Sequence, residues 1–195
     1  HPQELRKQSI YQAVIDCRGT GAKETWSSSD SPNTLRGVRG EVIRLYAPEV
    51  KLRRPTRLIH PRYPIYIAPK ENDVYVVGAT EIESDDLSEM SVRSAMELLS
   101  AVYTVHSGFA EARILEMATQ CRPTLKNNLP EIRTIKDKGL ADLIMINGLY
   151  RHGFMIAPAV LDCALQVLEQ GSSKTALELG LSVTQDSNYV EAVCA

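Results

Sequence analysis

The sequence predicts an α/β (α+β) fold, and three observations lead to this prediction. Residues 12–17 and 143–146 are short, β-branched apolar runs that each lead into a glycine turn, as buried strands do. The block between them carries alternating strand patterns, which predict a mixed or largely antiparallel sheet. A helical pattern beginning at Ser91 interrupts those strands. Because the two glycine-turn strands flank the middle block, we expect them to pack together in one sheet.

Composition bounds the class of protein. The 195 residues are 44% hydrophobic and 24% charged, which is enough to bury a core. A net charge of -2 and a pI near 6.1 do not provide the excess of positive charge that binds nucleic acid or an anionic membrane. A small molecule or a protein is therefore the expected partner. No apolar run approaches the roughly 18 residues that span a bilayer, and no signal-peptide pattern opens the chain. We therefore expect no membrane association and a cytoplasmic location.

Cysteines and acidic residues give no metal motif. The four cysteines lie far apart without a C-x-x-C pair, which argues against zinc or a redox dithiol: Cys17, Cys121, Cys163 and Cys194. We expect them to be reduced and mostly buried. One acidic run lacks the glycine and the spacing of a calcium loop: Glu81, Glu83, Asp85 and Asp86. We interpret it as a solvated loop and predict no metal site.

Strand patterns dominate the chain as far as residue 146. Strands are expected at residues 12–17, 38–47, 52–60, 65–69, 74–78, 112–120, 131–134 and 140–146, with 65–69 and 74–78 forming a hairpin. Helices are expected from the Ser91 N-cap to Gly108, from Pro158 to Gly171 and over 175–181. In the first helix one apolar stripe is formed by Val92, Met96, Leu99 and Tyr103. The tail after residue 181 shows no clear period.

The first glycine turn invites a dinucleotide-binding interpretation that the spacing does not support. Gly19 and Gly21 could open a G-x-G-x-x-G fingerprint, but the third glycine position holds Glu24. Residues 26–33 have the composition of a loop, where the fingerprint requires a helix. We therefore predict no free-standing Rossmann site at this turn.

The second glycine turn is the strongest candidate for a binding site. Gly148 and Gly153 flank Tyr-Arg-His between a strand and a helix, and glycine lets the backbone pass close to a ligand. The helix start supplies N–H groups and the positive end of a dipole, which suit an electron-rich partner. Arg151 would lie on this turn, which the strand before it and the helix after it hold in place. Taken alone, an arginine in such a motif is more often a surface or structural residue than a ligand-binding one.

Five segments, in this order, resemble one family: residues 38–41, 66–69, 77–80, 121–123 and 148–153. Together they are similar to the C-terminal half of the FAD-dependent D-amino acid oxidase family, and within it to the glycine oxidases of thiamine biosynthesis. The resemblance runs from about Val14 to about Leu168. It implies FAD as cofactor and a small amino acid as substrate.

The resemblance also implies roles for individual residues. Arg151 resembles the arginine that grips the substrate carboxylate, Arg122 a second active-site arginine, and Tyr66 a tyrosine lining the substrate pocket. For Tyr66 the alternative is an aromatic packed in a sheet. The segment whose backbone approaches the flavin ring would be Leu149, Tyr150, Arg151, His152, Gly153, Phe154 and Met155. His152 could be proposed as a base, but its neighbours favour a role in ordering this loop.

The implied reaction moves a hydride from the substrate α-carbon to the flavin, giving an imino acid, and oxygen then reoxidises the flavin with release of hydrogen peroxide. Residues 1–36 and 140–195 would be the residual part of an FAD-binding Rossmann-like domain, and residues 37–139 the substrate-binding domain, with its sheet and helix between residues 38 and 120. Two departures, Glu81 and Pro64, fall near the family's substrate pocket and leave the preferred side chain open.

A larger departure is that the family's G-x-G-x-x-G and the acidic residue for the ribose do not occur in this sequence. We therefore expect a fragment, or an N-terminal FAD-binding half supplied as a separate chain. The alternatives are a non-catalytic subunit or remnant that does not bind FAD alone, and another family member such as a sarcosine or D-amino acid oxidase. The oligomeric state, a homo-oligomer included, stays open at this point.

Overall fold

The computed structural model describes residues 1–27, 33–60 and 64–186. The strands in these ranges are β1 (Ala13–Asp16), β2 (Leu35–Tyr46), β3 (Thr56–Leu58), β4 (Ile65–Pro69), β5 (Val74–Gly78), β6 (Arg113–Leu125), β7 (Glu131–Ile135), β8 (Asp142–Asn147) and β9 (Ser182–Asp186). The helices are α1 (Pro2–Arg6), α2 (Lys23–Ser27), α3 (Val92–Val105), α4 (Gly153–Gln170) and α5 (Lys174–Leu179). Short 3-10 turns cover Gly19–Ala22, Ser107–Glu111 and Tyr150–His152.

The chain divides into two compact units. The first unit contains His1–Gly37 and Arg122–Ala195, and the second contains Val38–Cys121. The second boundary differs from the predicted one at residue 139, because β7 pairs with β8 on one side and with β9 on the other. Those pairings bind residues 122–139 into the first unit. The expected partnership of the two glycine-turn strands is confirmed, since β1 and β8 pair in parallel with Val14 opposite Leu143.

In the first unit a mixed sheet with the order β1-β8-β7-β9 is covered on both faces. Alternate residues of β8 point to opposite sides, as the pleat requires. Ile144 and Ile146 pack against α4 and α5, whose buried residues at this contact are Val160, Cys163, Ala164 and Ala176. Leu143 and Met145 pack on the other side against Trp26, Leu35 and Leu125. The continuous apolar run of β8 follows from this two-sided burial.

A buried polar cluster joins several elements of the first unit, and we call it the Glu131 cluster: Trp26, Asn33, Glu131, Arg133 and Thr184. The Arg133 Nε atom donates to Glu131 Oε1 at 2.7 Å, and both side chains are at most 2% exposed. Arg133 also donates to the Trp26 carbonyl at 2.8 Å, and its guanidinium carbon lies 3.9 Å from the centre of the Trp26 ring. Asn33 and Thr184 donate to the two Glu131 oxygens.

The second unit contains a five-stranded sheet with the order β3-β4-β5-β2-β6. The predicted hairpin is confirmed, with β4 antiparallel to β5 and Ile67 opposite Val77. One face of the sheet packs against α3 and the Phe109 ring through a single apolar core. This core explains why the strands alternate in the sequence, since only one side chain in two faces α3.

The face that α3 buries differs from the predicted one. Val92, Met96 and Tyr103 of the predicted stripe are 77%, 63% and 56% exposed. The residues that α3 buries are Ser94, Leu98, Ala101 and Val102. Leu99, the fourth residue of the predicted stripe, is half-buried and packs against the same core. Both sets fit a helical period, so periodicity alone did not fix which face is buried.

Helix α4 begins five residues earlier than predicted. Pro158 lies inside the helix, because the 3-10 turn Tyr150–His152 leads directly into helical backbone at Gly153. Proline keeps a helical φ but cannot donate an N–H to the Phe154 carbonyl four residues earlier, so at this sixth position it costs the helix one hydrogen bond. The predicted end is confirmed, since Gly171 adopts φ +75° and donates its N–H to the Val167 carbonyl.

Three further expectations differ in detail. Residues 23–27, partly assigned to a loop, form helix α2, and the rest of that predicted loop up to residue 32 lies outside the described residues. Cys163 is buried as predicted, but Cys121 is half-buried and Cys17 is exposed. Cys194 lies outside the described residues. Strand β9 was not predicted, because Ser-Val-Thr-Gln-Asp is polar and pairs at the edge of its sheet.

Candidate functional site

The carboxyl ends of β1 and β8 meet at one edge of the first unit, because the two strands are parallel. Strand β1 is followed by Arg18 and Gly19, and strand β8 ends at Asn147. The Asn147 side chain is 2% exposed, and its Nδ2 atom donates to the Gly19 carbonyl at 2.9 Å. The two glycine turns are therefore adjacent and directly bonded. In open α/β sheets ligands bind outside such strand ends.

Gly148 needs to be glycine at this edge. Its φ of +79° lies in the left-handed region, and an added Cβ would be 2.7 Å from Leu125 Cδ1 and 3.0 Å from the Leu129 carbonyl oxygen. Tyr150 also has a positive φ, of 49°. The backbone from Gly148 to Tyr150 is therefore held in a conformation that ordinary residues avoid.

The start of α4 stands behind this turn without a capping side chain. The N-cap residue is His152, which makes no side-chain cap bond, and the first helical turn contains no acidic residue. This 18-residue helix consequently leaves its first N–H groups and its positive dipole end for an electron-rich partner. Next to them, Phe154 and Met155 are 102% and 74% exposed. Apolar, exposed side chains beside an uncapped helix start are suited to a ligand that is flat and partly polar.

The structure places Arg151 and Arg122 in the same unit. Arg151 is exposed, and its guanidinium carbon lies 5.8 Å from the centre of the Tyr150 ring. Arg122 is half-buried on β6, and the next residue, Pro123, has its Cγ atom 3.4 Å from the position that a Cβ on Gly19 would take. The Arg122 segment thus lies against the Gly19 turn. The Arg151 segment is joined to the same turn by the Asn147 hydrogen bond.

Tyr66 belongs to the second unit. It lies on β4 opposite Gly78 of β5 and is 42% exposed. Its hydroxyl oxygen would be 2.7 Å from a Cβ on Gly78, so the Tyr66 side chain lies across that glycine. The tyrosine therefore packs on the sheet while its polar end stays near the surface, which suits a pocket wall.

A buried ion pair in the second unit was not anticipated from the sequence. Arg39 donates to Glu41 Oε1 at 2.7 Å, and Glu41 is fully buried. Burial alone would raise the pKa of Glu41, but hydrogen bonds from Ser94, Arg39 and Thr80 outweigh it and lower the pKa. Arg39 and Glu41 both lie in the segment 38–41, and residues two apart on a strand point to the same face. That spacing is the sequence signal that could have indicated the ion pair.

The same arginine anchors the acidic loop. Arg39 donates to the Asp86 carbonyl at 2.8 Å and pairs with the Asp86 carboxylate at 3.3 Å. All four acidic residues of the run are exposed, which confirms the solvated-loop prediction. Within residues 1–27, 33–60 and 64–186, no three His, Cys, Asp or Glu side chains come together as metal ligands.

Comparison with known proteins identifies the family. The profile of the DAO family, described as FAD dependent oxidoreductase, matches residues 3–161. The chain belongs to this family. A Rhizobium etli protein named as a thiamine biosynthesis oxidoreductase, ThiO, is 46% identical over 150 residues, which are 77% of this chain and 42% of that protein. The chain thus spans less than half the length of this relative.

Two solved structures have the same fold. Glycine oxidase from Bacillus cereus superimposes with a TM-score of 0.70 at 22% identity, covering 85% of this chain and 45% of that one. Iminodiacetate oxidase from Chelativorans sp. superimposes with a TM-score of 0.71 at 21% identity, covering 91% of this chain and 47% of that one. In the described part of the chain, no helix combines the length and apolar character of a membrane span.

FAD is the cofactor of this family, and the residues of the first unit fit part of it. The Gly148 turn admits no side chain, and the uncapped start of α4 lies beside exposed apolar residues, which together suit a flavin ring. A diphosphate needs the glycine fingerprint, which does not occur in this sequence. The residues of the first unit therefore fit the flavin ring of FAD and not its diphosphate.

Proposed function

We propose that this chain is the C-terminal portion of a flavin-dependent oxidase that converts glycine or a related small amino acid to its imino acid and releases hydrogen peroxide. The product would serve the thiazole branch of thiamine biosynthesis. The observation that carries the proposal is Arg151, exposed on a glycine-bounded turn at the strand ends with an uncapped helix start behind it. The 46% identity to a protein named for thiamine biosynthesis supports the pathway.

The residues would act mainly by placing the substrate. A guanidinium presents two parallel donors that match the two oxygens of a carboxylate, so Arg151 would hold the substrate carboxylate, with Arg122 as a second cation. Tyr66, on β4, would be the substrate-contacting tyrosine that the family resemblance implies. When bound, the flavin supplies the two-electron oxidation of the amine and its coupling to oxygen. We assign no protein base, and His152, as N-cap of α4, would order the loop.

The two units would divide these tasks. The first unit would be the residual part of the flavin domain, since it contains the paired glycine-turn strands and the start of α4. The second unit would be the substrate domain, built on the antiparallel sheet that carries Tyr66. The diphosphate and ribose of FAD would be held by a dinucleotide-binding half outside this sequence. We call this chain together with that half the complete oxidase.

Peroxide production by the complete oxidase tests the proposal. We expect turnover of glycine, with sarcosine and D-alanine defining the tolerated amine and side chain, and only slow turnover of a carboxylate-free amine at comparable concentration. An assembly that holds FAD and oxidises none of the amino acids would contradict the proposal. The substrate panel also separates a glycine oxidase from a sarcosine or D-amino acid oxidase.

A non-catalytic subunit or remnant is the second candidate. The observation that favours it is the absence of G-x-G-x-x-G from this sequence. Under this alternative the chain keeps the fold, but its Arg151 turn binds neither substrate nor flavin. An assembly that purifies without flavin absorbance, and gains none when FAD is added, would support the alternative.

A further inference from the structure

The turn that carries Arg151 has a conformation that needs support. Gly148 and Tyr150 both have positive φ values, +79° and 49°, and a non-glycine residue in this region costs free energy. Such a turn persists only when its surroundings fix it. One wall is Leu125, which leaves no space for a side chain at Gly148.

Asn147 supplies the polar part of that support. Its Oδ1 atom accepts the Gly148 N–H at 2.9 Å, which fixes the entry to the turn. Its Nδ2 atom donates to the Gly19 carbonyl at 2.9 Å, which ties the turn to the neighbouring strand end. The side chain is 2% exposed, so water does not replace either bond. An amide suits this role, because it places an acceptor and a donor on two separate atoms of one side chain.

The Gly19 end of this tie is itself anchored. Arg18, the preceding residue, donates to both carboxylate oxygens of Asp16, at 2.9 Å and 2.8 Å. The Asp16 side chain is 1% exposed and belongs to β1. Asn147 therefore attaches the Arg151 turn to a rigid point rather than to a loop.

We propose that Asn147 is a positioning residue that sets the location of Arg151 for the substrate carboxylate. The inference rests on the proposed function for the role of Arg151, while the tie between the two turns stands on this chain alone. Asn147 is four residues from Arg151, and the backbone at Gly148 between them is held by the two Asn147 hydrogen bonds and by Leu125. A displacement at Asn147 is consequently transmitted to the guanidinium.

Two variants separate the two bonds. Asn147→Asp keeps an acceptor for the Gly148 N–H but presents a carboxylate to the Gly19 carbonyl, so it loses the tie. Asn147→Leu has a similar volume and loses both bonds. The matched control is Asn127→Asp, because Asn127 also accepts a backbone N–H through Oδ1, from Leu129, but lies in an exposed turn of the same unit.

In the complete oxidase we expect Asn147→Asp to lower kcat/KM for glycine by at least about tenfold, mostly through KM, and to lower it much less for a carboxylate-free amine. Asn127→Asp should match the wild type with both substrates. Equal losses for both substrates, or unchanged glycine kinetics in a flavin-loaded Asn147→Asp enzyme, would overturn the positioning role.

Hydrogen exchange of the chain gives a readout independent of activity. Asn147→Leu should accelerate exchange at residues 148–153 and around the Gly19 turn, while β8 residues 142–146 keep their protection. Loss of protection spread along β8 would show a general structural role and refute the inference. A wild-type oxidase inactive on glycine would refute the proposed function and the carboxylate part of this inference, and the exchange data would then decide whether Asn147 joins the turns.

Discussion

At the scale of single residues, Arg151 carries the largest expected effect on activity. Arg151→Ala should cost about 2–5 kcal/mol in kcat/KM for glycine, because it leaves a flavin-shielded carboxylate without its partner. Arg151→Lys should recover part of the loss, since an ammonium cannot present two parallel donors. Arg122→Ala should cost less if its role is secondary. Steady-state peroxide production by each variant measures these effects.

A carboxylate-free amine is the internal control for this prediction. It should be a poor substrate of the wild type, and Arg151→Ala should lose little further activity with it. If the variant retains its flavin and keeps the wild-type kcat/KM for glycine, or loses both substrates equally, Arg151 must be reassigned to a structural role.

The Arg39–Glu41 pair predicts a pH dependence of stability. The pKa of Glu41 is lowered in the folded state from its ordinary value of 4.5, since hydrogen bonds to its carboxylate outweigh burial. Its contribution is therefore present above pH 4.5 and is lost as the pH falls through the folded pKa. Glu41→Gln should flatten the acid side of the stability curve, measured by urea unfolding between about pH 3 and pH 7. A variant curve parallel to that of the wild type would contradict the prediction.

Some residues of the site could be predicted from the sequence and others could not. Arg151 lies in a turn bounded by Gly148 and Gly153, and Arg122 precedes Pro123, and both patterns mark unusual backbone in the sequence. Asn147 ends an apolar run and resembles any strand-terminal polar residue. Its importance depends on the Gly19 carbonyl, 128 positions earlier in the chain. Long-range pairing of this kind leaves no local pattern.

At the scale of elements, the turn between β8 and α4 should tolerate no side chain. Gly148→Ala should destabilise the protein by more than the cost of about 1–2 kcal/mol for a left-handed alanine, because the added Cβ would overlap Leu125. Gly139→Ala is the matched control, since Gly139 has φ +82° with nothing within 4 Å of an added Cβ. Urea unfolding of both variants measures the difference, and equal losses would show that Leu125 moves aside.

The Glu131 cluster should dominate the stability of the first unit. Arg133→Ala should cost about 3–5 kcal/mol, because it leaves the buried Glu131 carboxylate without its cation. Lys136→Ala removes the partly exposed pair with Asp142 and should cost at most about 1 kcal/mol. Urea unfolding followed by fluorescence of Trp26, which contacts Arg133, reports on this unit. Similar losses for the two variants would contradict the assigned role.

The elements show where sequence patterns succeed. Long apolar or alternating runs such as β8 and the β4–β5 hairpin were predicted, because burial on one or two faces dictates their composition. The buried face of α3 was missed except for Leu99, since two stripes on this helix have the same period. The start of α4 was missed because Pro158 suits a first helical position but is also tolerated further in.

At the scale of the whole molecule, the sequence predicted two parts with a discontinuous first one, and the structure divides the chain after Gly37 and after Cys121. The 18-residue displacement of the second boundary, from 139 to 121, arises because β7 pairs with both β8 and β9. Strand β9 pairs with β7 in parallel, and its polar sequence shows no apolar strand pattern. Domain limits set by pairing between distant strands are therefore harder to predict than the strands themselves.

The central claim is that this chain holds the flavin-ring and substrate contacts of an oxidase whose diphosphate contacts lie elsewhere. Each charge-assisted hydrogen bond missing from the diphosphate contributes about 1.5–3 kcal/mol, so the isolated chain should bind FAD weakly. Titration of FAD fluorescence with the isolated chain and with the complete oxidase tests this directly. We expect a dissociation constant above about 1 μM for the chain alone and a much lower value for the complete oxidase. Sub-micromolar binding by the chain alone, or no binding by the complete oxidase, would contradict the account.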